Sequence, residues 1–535
     1  MTQDTAVDRS ESATQCERSM QRAWSPQLEQ AAARFAEVVG ADAVLLDEES
    51  IRDFDDPYTP GSDQRHRPSF VVQPGSAEEV RQIVRIAGEL DIRLWTSSTG
   101  RNYGYGGSAP VVNGSVIVNF RRMNTTIEIN EEAGYALIEP GVRFFDLYEA
   151  IKAGGHRLWI SVPDLGWGSV TGNALEHGYG YTVNGDNASA ICGMEVVLAD
   201  GDIVRTGLGA IPDSPMWQRH KRGFGPALDS LFMQSNLGIV TKLGIWLMPE
   251  PESFTTGSII CSDEAQLPAL IDSLRPLVLD GTIQGFPLIT SSPEPPEGYR
   301  ALPTDDTSAG SKALKLSATL PPGRFDARIA FYGPPAVNDA KEQIVRDAVA
   351  QIPGISVELR TYSGDVAADQ VEPLDLVPAG IPNMFLLDMM HKHFGKTLGH
   401  VDFSPVLPFD GESAARHEAM VQSILADEGL VAGFGWIANP RSLVGAAMIF
   451  YDTTDEAEAA AAHRAVRRMI AQAAEWGWSE YRAHPDLIDD VVSEYTFNDG
   501  ALHRLYDRIK DAVDPAGALS PGNHGIWGSA SRPEA

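Results

Sequence analysis

Between residues 76 and 90 the apolar positions fall at Val80, Ile83, Val84, Ala87 and Leu90, the spacing of one helix face. Ser76-Ala-Glu-Glu79 just ahead of them is a capping box, so a helix is predicted to start there. It leads into Ile92–Trp95, a short strand that delivers a glycine-rich loop, and strands follow at Ser115–Asn119 and Tyr135–Glu139. From Met194 to Gly207 two β-rich runs flank Asp200-Gly201, a strong hairpin signal. The first 250 residues therefore read as α+β. Texture changes near Pro249–Glu252, and Thr290–Gly310, rich in Pro, Ser and acidic residues, reads as a long excursion. Two similar strand-helix-strand units follow. One runs through Ala327–Tyr332, a helix around 340–350 and Ile355–Leu359. The other runs through Gly399–Val406, a helix around 414–425 and Val431–Ile437. A long helix over 455–475 carries Ala462, Val466, Met469, Ile470 and Ala473 on one face and stops at Gly477. The turn-rich segment Asp514–Gly528 needs another surface to lie on, and the polar first twenty or so residues read as a disordered arm.

A length of 535 residues suggests two to three domains, and 43% hydrophobic content is that of a globular chain. A net charge of −31 disfavours nucleic acid and anionic membrane as partners, and points to a substrate that is neutral or bound in a shielded pocket. Cys16, Cys192 and Cys261 make neither a metal pattern nor a disulfide framework, which fits a reducing cytoplasm. The N-terminus has no apolar secretory core, and no run of about eighteen apolar residues predicts a membrane span.

Four stretches carry candidate chemistry. Ser98–Pro110, STGRNYGYGGSAP, could be a surface turn, or a nest of backbone N–H groups that with Arg101 would suit a pyrophosphate. Pro163–Asn173, PDLGWGSVTGN, places one carboxylate, Asp164, beside Trp167; by residue type it could equally be a turn former. His391–His400 holds three histidines, tempting as a metal site but without an acidic or thiol ligand to complete a recognisable pattern. Tyr481-Arg482, just after the long helix, is either an exposed salt-bridging element or part of a site.

Together these stretches resemble the vanillyl-alcohol oxidase and 4-cresol dehydrogenase family of flavoproteins, most of all its bacterial eugenol oxidase and 4-alkylphenol oxidase branch. The resemblance spans about residues 35–527. It rests on RNYGYGG (Arg101–Gly107), EPGVRFFDLY (Glu139–Tyr148), PDLGWGSVTGNALEHGYGYT (Pro163–Thr182) and RGFGPALDSLFMQSNLGIVTKLGIWLMP (Arg222–Pro249), with GHVDFSPV (Gly399–Val406), GWSEYRAH (Gly477–His484) and PGNHGIW (Pro521–Trp527). It implies a two-domain α+β fold: an arm over 1–25, an FAD-binding domain from 26–253 and 479–535, and a ferredoxin-like α+β cap over 254–478.

The resemblance also implies chemistry. A para-substituted phenol binds as phenolate, and hydride leaves its benzylic carbon for FAD through a p-quinone methide. Tyr105, Tyr481 and Arg482 match the phenolate-holding positions, Asp164 the carboxylate beside the flavin, and Tyr181 a further pocket tyrosine. His400 matches the histidine that bonds the flavin covalently, which would make His391 and His393 incidental. Cofactor contacts are implied for Ser98, Thr99, Gly100, Arg101, Asn102, Gly104 and Gly106, for Pro163, Gly168, Ser169, Gly172 and Asn173, and for Gly238, Ile239 and Val240. Family expectations are reoxidation by O2 with release of H2O2, with a cytochrome- or cupredoxin-linked dehydrogenase as the alternative, and assembly as a homodimer or larger homo-oligomer. A non-catalytic flavin-binding protein would not need Tyr105, Asp164, Tyr481 and Arg482 together. Three segments depart from the family pattern: Thr182–Asn187, Pro440–Val444, and Asn523-His524 where a Lys or Arg is usual. They leave the preferred phenol open between simple 4-alkylphenols and eugenol or vanillyl alcohol.

Overall fold

A computed structural model of the chain describes residues 24–60, 65–292, 324–388 and 397–532. Of the expected N-terminal arm, 1–23 lie outside the described residues. Trp24 stacks on Phe70, 5.3 Å between ring centroids, and Ser25 caps the helix Pro26–Val39.

The helix starts at the predicted place, with only the serine half of the capping box formed. Ser76 Oγ accepts from Glu79 N (3.2 Å), while Glu79 Oε2 reaches back to Gly75 N (2.7 Å) rather than to Ser76. The helix runs Ala77–Leu90, buries Val80, Ile83, Val84, Ile86 and Ala87, and ends at left-handed Asp91. It feeds the strand Leu94–Ser97, which pairs in parallel with Val116–Asn119; Val71–Val72 pairs in parallel on the other side of that strand. The tail finds its surface on this small sheet, where Leu519 bridges Leu94 in parallel. A buried ion pair holds it there. Lys510 Nζ lies 2.7 Å from Asp514 Oδ2 and donates to the carbonyls of Asn236 and Leu519. A second, antiparallel sheet of five strands lies behind, in the order Thr126–Asn130, Tyr135–Ile138, Ile239–Trp246, Ile191–Val197 and Ile203–Arg205. Its last antiparallel pair is the hairpin around Asp200-Gly201.

Residues 253 to 480 build one large antiparallel sheet, and its order explains the repetition seen in the sequence. Strand Ser253–Cys261, helix Leu267–Leu279, strands Gln284–Ser292 and Arg324–Gly333, helix Pro335–Val349 and strand Ile355–Ser363 make a βαββαβ unit. Its strands lie in the order fourth, first, third, second, which is the ferredoxin-like arrangement. A second unit repeats that order. Its first strand is broken at Ser404 into Leu398–Phe403 and Pro405–Pro408. Helix Gly411–Glu428, strands Val431–Ala438 and Ser442–Asp452, helix Glu456–Ala474 and the short strand Ser479–Glu480 follow. Pairing of Gln284–Ser292 with Val431–Ala438 joins the units edge to edge, and their helices bury one shared apolar core that includes Trp436, Phe403 and Phe325. Of the predicted excursion, residues 293–310 lie outside the described residues. Strand Ser479–Glu480 hands the chain directly to Tyr481 and Arg482.

Candidate active site

Where the large sheet meets the parallel sheet and its loops, the structure encloses a cavity of about 450 Å³, in the usual range for a ligand site. Its walls come from residues 95–109, 163–182 and 232–240, from 437–448 and 481–488 at the sheet edge, and from 523–524 in the tail. The predicted stretches converge here from across the chain. Ser98, Thr99, Gly100, Arg101, Asn102, Pro163, Gly168, Ser169, Gly172, Asn173, Gly238, Ile239 and Val240 all line the cavity, as do Tyr105, Asp164, Tyr181, His400, Tyr481 and Arg482. Gly104 and Gly106 do not face it. Gly104, left-handed at φ 80°, lies where a Cβ would come 2.6 Å from the His400 ring and the Asp402 carboxylate, and Gly106 packs against Pro485. Gly104 therefore lets the loop close onto the strand that carries His400, and its carbonyl accepts from Asp402 N. His391 and His393 lie outside the described residues, and no group of three or more potential metal ligands is found among the described ones.

At one end Arg482 is gripped by backbone and amide oxygens. Its Nε donates to the Glu176 carbonyl (2.6 Å) and its terminal nitrogens to Asn102 Oδ1 (3.3 Å) and the Asn173 carbonyl (3.4 Å). Its guanidinium carbon stands 5.2 Å from the Tyr481 ring centre and 5.8 Å from that of Tyr105. Burial works against this cation, but the phenolic oxygens of Tyr481 and Tyr105 and the Glu176 carboxylate outweigh it and raise its pKa. Burial drives the Tyr105 hydroxyl well above its ordinary pKa, so it stays protonated; it shares a 2.7 Å hydrogen bond with Ser404 Oγ. A permanent cation beside the protonated Tyr105 hydroxyl and the Tyr481 ring is a preformed receptor for an oxyanion.

Further along the cavity, Asp164 caps no turn among the described residues. Its Oδ1 accepts from both terminal nitrogens of Arg328, at 3.0 and 3.1 Å, and the Arg328 guanidinium lies 4.3 Å from the centre of the Tyr181 ring. Arg328 was not anticipated from the sequence. It projects from the strand Arg324–Gly333 on the face opposite buried Ala327 and Ile329, so the signal was an arginine set beside the apolar run Ile329–Tyr332. His400 Nδ1 sits 2.6 Å from Asp402 Oδ1, leaving Nε2 as the free ring nitrogen, and Tyr58 packs against the imidazole at 4.8 Å. The spacing His-x-Asp on a strand, which puts both side chains on one face, could have revealed Asp402. Two more residues were missed. Tyr179 lines the cavity with its ring 5.9 Å from that of Tyr481. Glu176 lies 3.3 Å from His524 of the tail, which places His524 in the cavity wall.

The 4-cresol dehydrogenase [hydroxylating] flavoprotein subunit of Pseudomonas putida is 33% identical over 501 residues, 92% of this chain and 94% of that one. The chain belongs to the vanillyl-alcohol oxidase and 4-cresol dehydrogenase family. Solved members of this family superpose on it. A 4-ethylphenol oxidase from Gulosibacter chungangensis, in an isoeugenol complex, gives a TM-score of 0.84 at 34% identity, covering 95% of this chain and 98% of that one. A substrate-bound p-cresol methylhydroxylase gives 0.83 at 31%, covering 94% and 98%. A family model described as an FAD binding domain matches residues 68–207. The chain is an FAD-dependent oxidoreductase with the two-domain α+β fold of its family. The cavity suits that cofactor on its own terms. Among the described residues, the backbone N–H groups of Arg101 to Gly104 find no protein acceptor, as a loop awaiting an anion would have them. Thr171, on the wall and 1% exposed, holds an Oγ1 without a partner. No helix among the described residues is long and apolar enough to cross a membrane.

Proposed function

We propose that this chain oxidises para-substituted phenols at the benzylic carbon, with O2 as the final acceptor and H2O2 as the by-product. The observation that carries the reading is Arg482, pinned by three acceptors and flanked by the rings of Tyr105 and Tyr481 at one end of the cofactor cavity. A phenol entering there loses its proton, because a fixed cation and two phenolic donors favour the phenolate. The phenolate pushes electrons through the ring, so that loss of hydride yields a neutral p-quinone methide rather than a benzylic cation. FAD, when bound, supplies the hydride acceptor. Asp164, oriented by Arg328, assists the loss of hydride and then takes the proton of a water that adds to the quinone methide, or of the side chain when an alkene forms instead. His400 offers its free Nε2 for a covalent bond to the cofactor, with Asp402 holding Nδ1. Two thiols, Cys192 and Cys261, are unpaired and buried, which suits a cytoplasmic setting.

The test is oxygen consumption with a panel of 4-alkylphenols, eugenol and vanillyl alcohol, each beside its phenol methyl ether. Turnover of the phenols with stoichiometric H2O2 and none of the ethers is expected. Equal turnover of a phenol and its ether would refute the phenolate role. The kinship to a dehydrogenase flavoprotein subunit supports a second acceptor reading. Under it, cofactor reduction by phenols would persist while O2 uptake stayed slow until cytochrome c or an artificial dye was added.

A further inference from the structure

We infer that Tyr179 is a specificity wall that admits phenols unsubstituted beside the hydroxyl and rejects those carrying a methoxy group there. The inference rests on the phenol-oxidase reading and narrows its substrate class to simple 4-alkylphenols.

Tyr179 stands next to Tyr481, with ring centres 5.9 Å apart, and its hydroxyl is coupled to the charge of Arg482. A phenol whose oxygen is held by Tyr481 and Arg482 must direct a substituent on the adjacent ring carbon toward the groups that flank that oxygen, and Tyr179 is one of them. The aromatic ring is held from three sides. Its backbone bridges Asp186 in an antiparallel pair, closed by Gly180 N donating to Gly185 O. Phe286, from the large sheet, packs 5.7 Å away on Tyr179. Phe286 gets that close because Gly185 has no side chain: a Cβ there would collide with the Phe286 ring. The hydroxyl accepts from Asn439 Nδ2 at 3.1 Å, and Asn439 N itself donates to the Ser442 carbonyl, which fixes the hairpin tip. A side chain locked at its backbone, its face and its tip cannot swing aside for a bulky neighbour. Two of the three segments in which this chain departs from the family pattern, 182–187 and 440–444, flank this lock. Burial also pushes the Tyr179 hydroxyl up to about 12, so it presents no negative charge to the phenolate beside it.

The experiment compares kcat/KM for 4-ethylphenol and 4-ethyl-2-methoxyphenol in the wild type and in Tyr179→Val, Tyr179→Phe and Asn439→Ala. Discrimination by shape at one substituent is worth about 10–200-fold, so the wild type should favour 4-ethylphenol by roughly that factor. Tyr179→Val should cut the ratio at least about tenfold, mostly by improving KM for the methoxylated phenol, while Tyr179→Phe keeps the ring and most of the ratio. Asn439→Ala, which frees the tip, should fall between them. Binding of 2-methoxyphenol, which has no benzylic carbon to oxidise, read from the perturbation of the flavin absorption spectrum, should tighten in Tyr179→Val. A wild type that handles both phenols equally, or a Tyr179→Phe variant that loses the discrimination, would overturn the wall. If neither phenol reduces the cofactor in any variant, it is the phenol-oxidase reading itself that fails.

Discussion

Replacing Arg328 by methionine isolates what the large sheet contributes to the chemistry. Methionine keeps an unbranched apolar stem of similar reach but removes both donors to Asp164 Oδ1, at 3.0 and 3.1 Å. The two side chains are 13% and 19% exposed, so the carboxylate has little solvent to replace its partner. Removing one member of a buried pair costs about 3–5 kcal/mol, chiefly because the other charge is left uncompensated. If that loss falls on the step in which Asp164 acts, 1.4 kcal/mol per decade makes it about 10²- to 10³·⁵-fold in rate. The Arg328 cation above Tyr181 is lost as well, worth about 0.5–2 kcal/mol more. Stopped-flow reduction of the bound flavin by 4-ethylphenol measures the effect. Thermal unfolding monitored alongside separates a loss of chemistry from a loss of fold. The double variant Arg328→Met/Asp164→Asn closes the cycle: once Asp164 is neutral, removing Arg328 should cost little further, giving strong coupling. Reduction within threefold of wild type in a folded Arg328→Met protein would show that Asp164 needs no orienting partner. Additive effects in the double variant would show that the two residues act independently.

His400→Ala should move the flavin from the acid-precipitated pellet, where the wild type keeps its colour, into the supernatant; a wild type that releases its flavin would refute the covalent role. Arg482→Ala should lower kcat/KM for 4-ethylphenol by about 10²–10³, as for loss of one oxyanion donor, and a change below fivefold would contradict its place in the receptor. Burial holds the Glu480 carboxyl well above its ordinary pKa, against the hydrogen bond from Ser404 N. The folded state thus binds this proton more tightly than the unfolded chain. The resulting stabilisation is complete below about pH 4.3, the unfolded value, and fades as pH rises. Melting temperatures of the wild type should therefore fall relative to Glu480→Gln between about pH 5 and 8, and a constant difference would refute the buried neutral acid. Lys510→Met strips the partner from Asp514, 1% exposed, and should cost about 3–5 kcal/mol of stability; an unchanged urea midpoint would mean that the tail is held elsewhere.

Legibility in the sequence followed local chemistry. The helix Ala77–Leu90 could be read because its cap, period and stop all lie within sixteen residues. The hairpin at Asp200-Gly201 was readable because its turn demands those residues. Of the two ferredoxin-like units, the second half of the first and most of the second were visible as strand-helix-strand patterns. The first half of the first unit was not, since strand Ser253–Cys261 is buried on both faces and shows no alternation. Strand Ser442–Asp452 was missed for a similar reason, with eight of its eleven residues buried. Among site residues, those inside long motifs were found, whereas Arg328 and Tyr179 act through partners 164 and 260 positions away. Nothing local marks such a pair.

The tail, docked on Leu94 through Leu519 and locked by Lys510 and Asp514, has a consequence for the order of biosynthesis. The cavity wall draws on Gly100 and on His524, and translation adds about 5–20 residues per second. The second therefore leaves the ribosome roughly 20–85 seconds after the first, at that rate. Through that interval the nascent chain carries the glycine loop without the tail residues that complete its cleft. Stable capture of FAD thus waits until the tail has left the ribosome.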